Sequence, residues 1–221
     1  MVQAERREPL TRDRVLEAAV ELADRDGIES VSMRRLGQEL GVEAMSLYTH
    51  VRNKDDLLDG MAEVIVGRIP VRFTGPDWRT ALREQVLIAR DVMLSHAWAP
   101  AILESRPTPG PAMLRYVEGL VGTLIDAGFS VDLTHHALHT LGSRILGFMQ
   151  DLYEDRTEFD PEAAAAFASQ VAPMFPNIAK VAMQASHDGG LGGCDDDFEF
   201  AFGLDIILDG LERHRVAAAA V

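Results

Sequence analysis

The chain has 221 residues, of which 47% are apolar and 6% aromatic, with a formal net charge of −14. That apolar share can bury the core of one or two domains, and the many alanines and leucines favour helices. The acidity weighs against indiscriminate nucleic-acid binding, which depends on neutralising phosphates, and no run approaches the roughly 18 apolar residues of a membrane span.

Residues 1 to 9 read as a flexible arm, whose charges (MVQAERREP) occupy the place of a signal peptide's apolar core, so a cytoplasmic setting is expected. Thr11 caps a first helix with Val15, Leu16, Ala19, Leu22 and Ala23 on its apolar face, ended by Asp26 and Gly27. Ser32 caps a second helix, in which Leu36 and Leu40 at i, i+4 spacing face inward, and Gly41 marks a sharp turn with Val42 plugging the corner. The next helix runs roughly two turns, from Glu43 or Ala44 to His50. Leu47 and Val51 pack inward, leaving Ala44, Met45, Ser46, Tyr48 and Thr49 for another surface. Small and hydroxylated side chains at the front of a helix suit the major groove, where hydroxyls bond phosphates or bases and Ala or Met touches a thymine methyl.

Asn53 caps a fourth helix that ends at Pro70, and Asp56 supplies the acidic member of a capping box. Lys54 is a cation in a first helical turn, unfavourable by about 0.3 to 1 kcal/mol unless a phosphate lies near. Read singly, Arg34, Arg35 and Lys54 are ordinary solvated charges, and Tyr48 covers the edge of a small core. Their order and spacing together read as a helix-turn-helix. Residues 28 to 54 carry four basic and three acidic side chains, whereas residues 57 to 221 carry twelve and twenty-three. Specific, salt-sensitive binding over a weak background is therefore expected.

Beyond the turn TGPD, an amphipathic helix spans about Asp77 to His96, and RPTPGP (Arg106 to Pro111) separates it from a helix at about Ala112 to Ala127. Ser130 caps a further helix to about Asp151; Asp160 and Pro161 start another, interrupted by Pro173 and Pro176; and a closing helix covers about Phe198 to Arg215. No strand is expected, so the fold class is all-α. The lone Cys194 excludes an intrachain disulfide and a cysteine zinc site. GGLGG (189 to 193) lacks the preceding strand of a phosphate loop and reads as a connection, so no cofactor is expected. His135 and His139 share a helix face, but no HExxH pattern follows and only Asp132 is a nearby acid, so no metal is expected either. No nucleophile stands at a recognisable spacing from a base, so the chain does not read as an enzyme. The stretches 131 to 152 and 198 to 211 are apolar on more than one face, as an internal core or a dimer face would be.

The strings RVLEAAVELADRDG, SMRRLGQELGV and SLYTHVRNKDDLLDGM, within about residues 10 to 69, resemble the N-terminal domain of the TetR family of bacterial transcriptional regulators. The resemblance implies a three-helix DNA-binding domain with the helix-turn-helix at about 32 to 51. A fourth helix would join it to a larger helical ligand-binding and dimerisation domain over 70 to 221. It implies operator contacts from Ser32, Arg34, Ser46, Tyr48, His50 and Lys54, and Met33, Glu43, Ala44, Met45 and Thr49 complete the expected DNA-binding face. More weakly, AILESRPTP and DAGFSVDLTHHALHTLGSRILGFMQD resemble the tetracycline-repressor branch. Positions used there for drug and magnesium hold Pro70, Gln85, Ala89 and Ile102, which argues against a tetracycline-magnesium effector. A mostly apolar pocket would be lined by Gln85, Ala89, Met93, Ile102, Met113, Val117, Ser143, Gly147 and Gln150, residues that singly also read as plain core. The closing string FGLDIILDGLE resembles the family's dimer helix and implies an interface at Phe200, Leu204, Ile207, Leu208 and Leu211. The expected function is a homodimeric repressor, released from a palindromic double-stranded operator by a small apolar or amphipathic effector. The alternative is a helical scaffold or partner-binding protein that retains the fold without operator binding.

Overall fold

The computed structural model describes residues 9–72, 75, 77–147, 162, 166, 169, 170, 172–184 and 196–219, and all regular structure among them is helical. Four short polar side chains set the starts of the helices that matter most. Thr11 Oγ1 accepts from the Arg14 amide (3.2 Å) to open α1 (Arg12–Asp26), and Ser32 Oγ from Arg35 (3.3 Å) to open α2 (Met33–Leu40). After α3 (Ala44–Leu47), Asn53 Oδ1 accepts from Asp56 (2.8 Å) to open α4 (Lys54–Gly67), and Asp77 Oδ1 from Thr80 (2.9 Å) to open α5 (Trp78–Leu94). Each bond satisfies an amide that the first helical turn leaves without a partner.

The α2–α3 corner depends on two glycines. Gly41 adopts the left-handed conformation (φ 64°, ψ 35°) that ends α2. Gly37 sits where the helices approach most closely: a Cβ there would lie 2.9 Å from the Val42 carbonyl oxygen and 3.2 Å from the Ala44 nitrogen. The segment after this corner is shorter as an α-helix than its sequence implies. Beyond Leu47 the winding continues to His50 through i→i−3 bonds, Tyr48 to Met45, Thr49 to Ser46 and His50 to Leu47, at 2.9 to 3.4 Å.

The C-terminal part holds α6 (Ala99–Ser105), α7 (Pro111–Asp126), α8 (Val131–Gly147), α9 (Pro176–Gln184) and α10 (Asp196–Ala219). Helix α6 has no counterpart in the sequence-based expectation, and Pro176 opens α9 rather than interrupting a helix. Both departures have one cause: Pro100 and Pro176 occupy first-turn positions, where the missing amide is not needed. The N-terminal arm up to residue 8, the helix start at Asp160 and Pro161, GGLGG and Cys194 lie outside the described residues.

A single apolar cluster runs through both halves. Helix α4 contributes Leu57, Leu58, Met61, Ile65 and Val66 to it and packs against α1 as well as α6 and α7, so one helix joins the two halves. Polar contacts follow the same seam. Glu63 on α4 accepts from the Ala112 amide at the start of α7 (2.8 Å), and Asp24 on α1 accepts from the indole of Trp98 (2.6 Å) and contacts His96 Nδ1 (2.8 Å). Arg68, which caps α4, reaches Glu17 of α1 (2.5 Å) and His96 Nε2 (3.0 Å).

The residues expected at a dimer interface lie mainly inside the protomer. Phe200, Leu204, Leu208 and Leu211 are buried against the protomer's own α5 and α8, and Ile207 is half-buried. Phe200 is further held between Arg90 and Arg144, whose guanidinium carbons each lie 4.8 Å from its ring centre. The exposed apolar stripe of α10 is instead Phe198, Phe202 and Ile206, at i, i+4 and i+8.

Candidate nucleic-acid interface

The helix-turn-helix presents one continuous polar and apolar face. Leu47 and Val51 are buried beneath it, while Met45 is 75% and Tyr48 45% exposed, large values for an apolar and an aromatic side chain. Ser46, Thr49, Glu43, Ser32 and Arg34 are also exposed; Met33, Ala44 and His50 are half-buried. Not every member keeps its polar group free: the Thr49 hydroxyl donates to the Ser46 carbonyl (2.7 Å), and Ser32 Oγ is engaged as a cap.

The arginines divide by role. Arg35 turns back to Asp26 (2.5 Å) and Arg25 binds Glu39 (2.6 Å), so these cations serve the α1–α2 contact. Arg34 and Lys54 are exposed and form no ion pair among the described residues. Lys54 thus stands at the start of α4 against the helix dipole, next to the exposed face, where an incoming phosphate would reverse the sign of its contribution.

Sequence reasoning missed Arg12 and half of the role of Asp56. Arg12 grips the Asp56 carboxylate at 2.9 and 3.2 Å and donates to the His50 carbonyl (2.7 Å). Asp56 does not close a capping box on Asn53; its Oδ2 accepts from the Arg52 amide (2.8 Å). The Arg12 guanidinium, foremost, and the Arg52 amide hold the Asp56 carboxyl at about 2. Only the dipole mismatch of Arg12 in a first helical turn could have marked it beforehand.

The residues proposed for an effector pocket fall on several elements. Gln85, Ala89 and Met93 lie one turn apart on the buried face of α5; Ile102, Met113 and Val117 are half-buried on α6 and α7; Ser143 is exposed on α8. Gly147 ends the described part of α8, and Gln150 lies outside the described residues. Gln85 is engaged with the backbone: its amide donates to the Pro70 carbonyl (3.0 Å) and its oxygen accepts from the Arg72 amide (3.1 Å). A cavity of about 460 Å³ lies between α1, α4 and the 106–111 loop, and of the proposed lining residues only Met113 borders it. Two polar groups that the sequence did not mark are the Tyr116 and Thr134 hydroxyls. Both are buried without a hydrogen-bond partner among the described residues, and burial pushes the Tyr116 phenol well above its ordinary value. His135 and His139 stack edge-on, with ring centres 4.6 Å apart on the exposed side of α8. No single described helix is long and apolar enough to cross a membrane.

Comparison with known proteins finds this architecture over most of the chain. A family model described as bacterial regulatory proteins, tetR family, matches residues 15–61, and one described as tetracyclin repressor-like, C-terminal domain, matches residues 73–215. An HTH-type transcriptional regulator of Saccharopolyspora erythraea is 43% identical over 122 residues, which is 54% of this chain and about half (51%) of that relative. The HTH-type transcriptional repressor DrrR1 of Streptomyces coeruleorubidus is 32% identical over 92% of this chain and 77% of its own length. Among solved structures, apo ActR from Streptomyces coelicolor superposes with a TM-score of 0.80 at 28% identity, covering 96% of this chain and 99% of ActR. With the helix-turn-helix half and the larger helical half both matched, the chain belongs to the TetR family of bacterial transcriptional regulators.

Proposed function

We propose that two copies of this chain bind a two-fold-symmetric DNA operator as a repressor, in a cytoplasmic setting, and leave it when a small apolar or amphipathic molecule enters the C-terminal half. The observation that carries the reading is the exposed Met45, Ser46 and Tyr48 face beside Lys54, a cation without an ion pair among the described residues. Base edges and methyl groups would meet Ala44, Met45 and Ser46, and phosphates would meet Tyr48, Thr49, Arg34 and Lys54. Two-fold symmetry of the protein would be mirrored in the site, with half-sites about one helical turn or slightly more apart.

Release by an effector is supported by the packing of α4 against both halves and by a relative: ActR has been solved in complex with actinorhodin. By linkage, the effector acts only through its preference for the shape that does not fit DNA, and operator must weaken effector binding by the same factor. Tyr116 and Thr134 join Met93, Ile102, Met113 and Val117 as candidate pocket residues, because a ligand acceptor would relieve their hydroxyls. Tetracycline with magnesium does not suit this chain. Ile102 stands where the tetracycline-responsive members hold a magnesium-binding histidine, and Gln85 is taken up by backbone partners.

Selection of bound sequences from a random duplex library tests the reading. A palindromic motif is expected, bound with steep salt dependence. Tyr48→Ala and Lys54→Ala should each weaken binding about ten-fold or more with unchanged melting temperature, and Lys54→Ala should reduce the salt slope by about one. Absence of any enriched motif at low salt would overturn it.

A further inference from the structure

The first residue of α1 is a cation, facing the positive end of its own helix, and its whole guanidinium edge is spent on two other elements. Arg12 Nη2 and Nη1 reach Asp56 Oδ1 and Oδ2 (2.9 and 3.2 Å), in the first turn of α4, and Nη1 also donates to the His50 carbonyl (2.7 Å). His50 ends the turns that follow α3, and these turns are held by i→i−3 bonds, a poorer geometry than α-helical bonding. Asp56 is 12% exposed and also fixes the Arg52 amide, so one carboxylate gathers the end of the reading segment and the start of α4. Gly60 lies beside this contact: a Cβ there would be 2.5 Å from Leu16 Cδ2 and 3.3 Å from Arg12 Nη2, the ends of two α1 side chains.

We propose that Arg12 is a positioning residue for operator reading. Through Asp56 and the His50 carbonyl, α1 sets the angle at which Tyr48, Thr49 and Lys54 meet the duplex, without Arg12 itself touching DNA. The inference rests on the operator-binding reading above. The fork geometry explains why arginine stands here: a lysine ammonium is a point donor and cannot hold the carboxylate edge-on while reaching the carbonyl.

The test compares Arg12→Ala, Arg12→Lys and Asp56→Asn on the operator that the wild-type chain selects, with helicity and melting followed for each. Asn at position 56 can still accept from the Arg52 amide, which keeps that variant mild. Arg12→Ala and Asp56→Asn should each weaken binding about ten- to a hundred-fold, the loss expected for a charge-assisted hydrogen-bond pair, with the salt slope unchanged. Arg12→Lys should recover only part. If Arg12→Ala lowers the salt slope by about one while Asp56→Asn leaves affinity unchanged or raises it, Arg12 is a phosphate contact and the inference fails. Unchanged affinity in Arg12→Ala overturns it as well. Should the wild type select no operator, the DNA reading itself has failed, and hydrogen exchange then decides on Arg12 alone. Faster exchange of the His50 and Val51 amides in Arg12→Ala, relative to α1 and α4, supports positioning; unchanged exchange refutes it.

Discussion

Asp56 accepts from a guanidinium and an amide at once, and its carboxyl is held at about 2, below the ordinary 3.8. A depressed carboxylate stabilises the fold above its unfolded value and loses that contribution as the pH falls from about 4 toward 2. Asp56→Asn should therefore cost roughly 1 to 2 kcal/mol at pH 7, allowing for the solvent that reaches Arg12, and the gap to wild type should narrow below pH 4 in urea titrations. Tyr116 carries the opposite expectation. Its hydroxyl has no partner among the described residues, so Tyr116→Phe should be neutral or stabilising by about 0.5 to 1 kcal/mol in thermal melts, while weakening the response to an effector that bonds there. Neither role was legible beforehand. Asp56 read as half of a capping box and Tyr116 as nothing in particular, because a partner forty-four residues away and a buried environment are properties of packing.

The elements were more readable than the contacts between them. Thr11, Ser32 and Asn53 are short-range signals, each answering an amide three residues on, and they place three helix starts without tertiary information; Asp77, which reads only as the approximate start of a helix, does the same for α5. Gly41 was equally legible as a stop. Gly37 was not, since its need for a bare α-carbon comes from the backbone of the next helix. Gly37→Ala should cost about 1 to 3 kcal/mol by forcing α2 from α3. Gly122→Ala on α7, where a Cβ would meet nothing within 4 Å, should stabilise by roughly 0.5 to 1 kcal/mol through helix propensity. Denaturant titration of the pair distinguishes crowding from propensity. Proline is ambiguous for a related reason: Pro176 reads as an interruption in the sequence but opens α9, as Pro100 stands in the first turn of α6, and only that place decides which.

At the scale of the whole molecule, the all-round apolar character of α10 announced two tasks without dividing them. Phe200, Leu204 and Leu208 serve the protomer, while Phe198, Phe202 and Ile206 remain on its outside, with Phe202 54% exposed. Periodicity cannot tell the two sides of such a helix apart; the position of α5 and α8 does. Phe202→Glu is accordingly expected to turn the proposed dimer into a monomer in sedimentation velocity with its helicity retained, and Leu204→Glu to unfold the protein.

The seam between the halves bears on how regulators of this kind exchange specificities. Cutting and rejoining two relatives at Pro70 would leave Asp24 and Arg68 with one parent and their partners His96 and Trp98 with the other, and would set Glu63 against the start of a foreign α7. A working hybrid must therefore inherit matched residues on both sides of α4, or transplant only the surface from Ala44 to Lys54. Recombination at the linker, the cut that the chain order invites, is the one that this interlocked core resists.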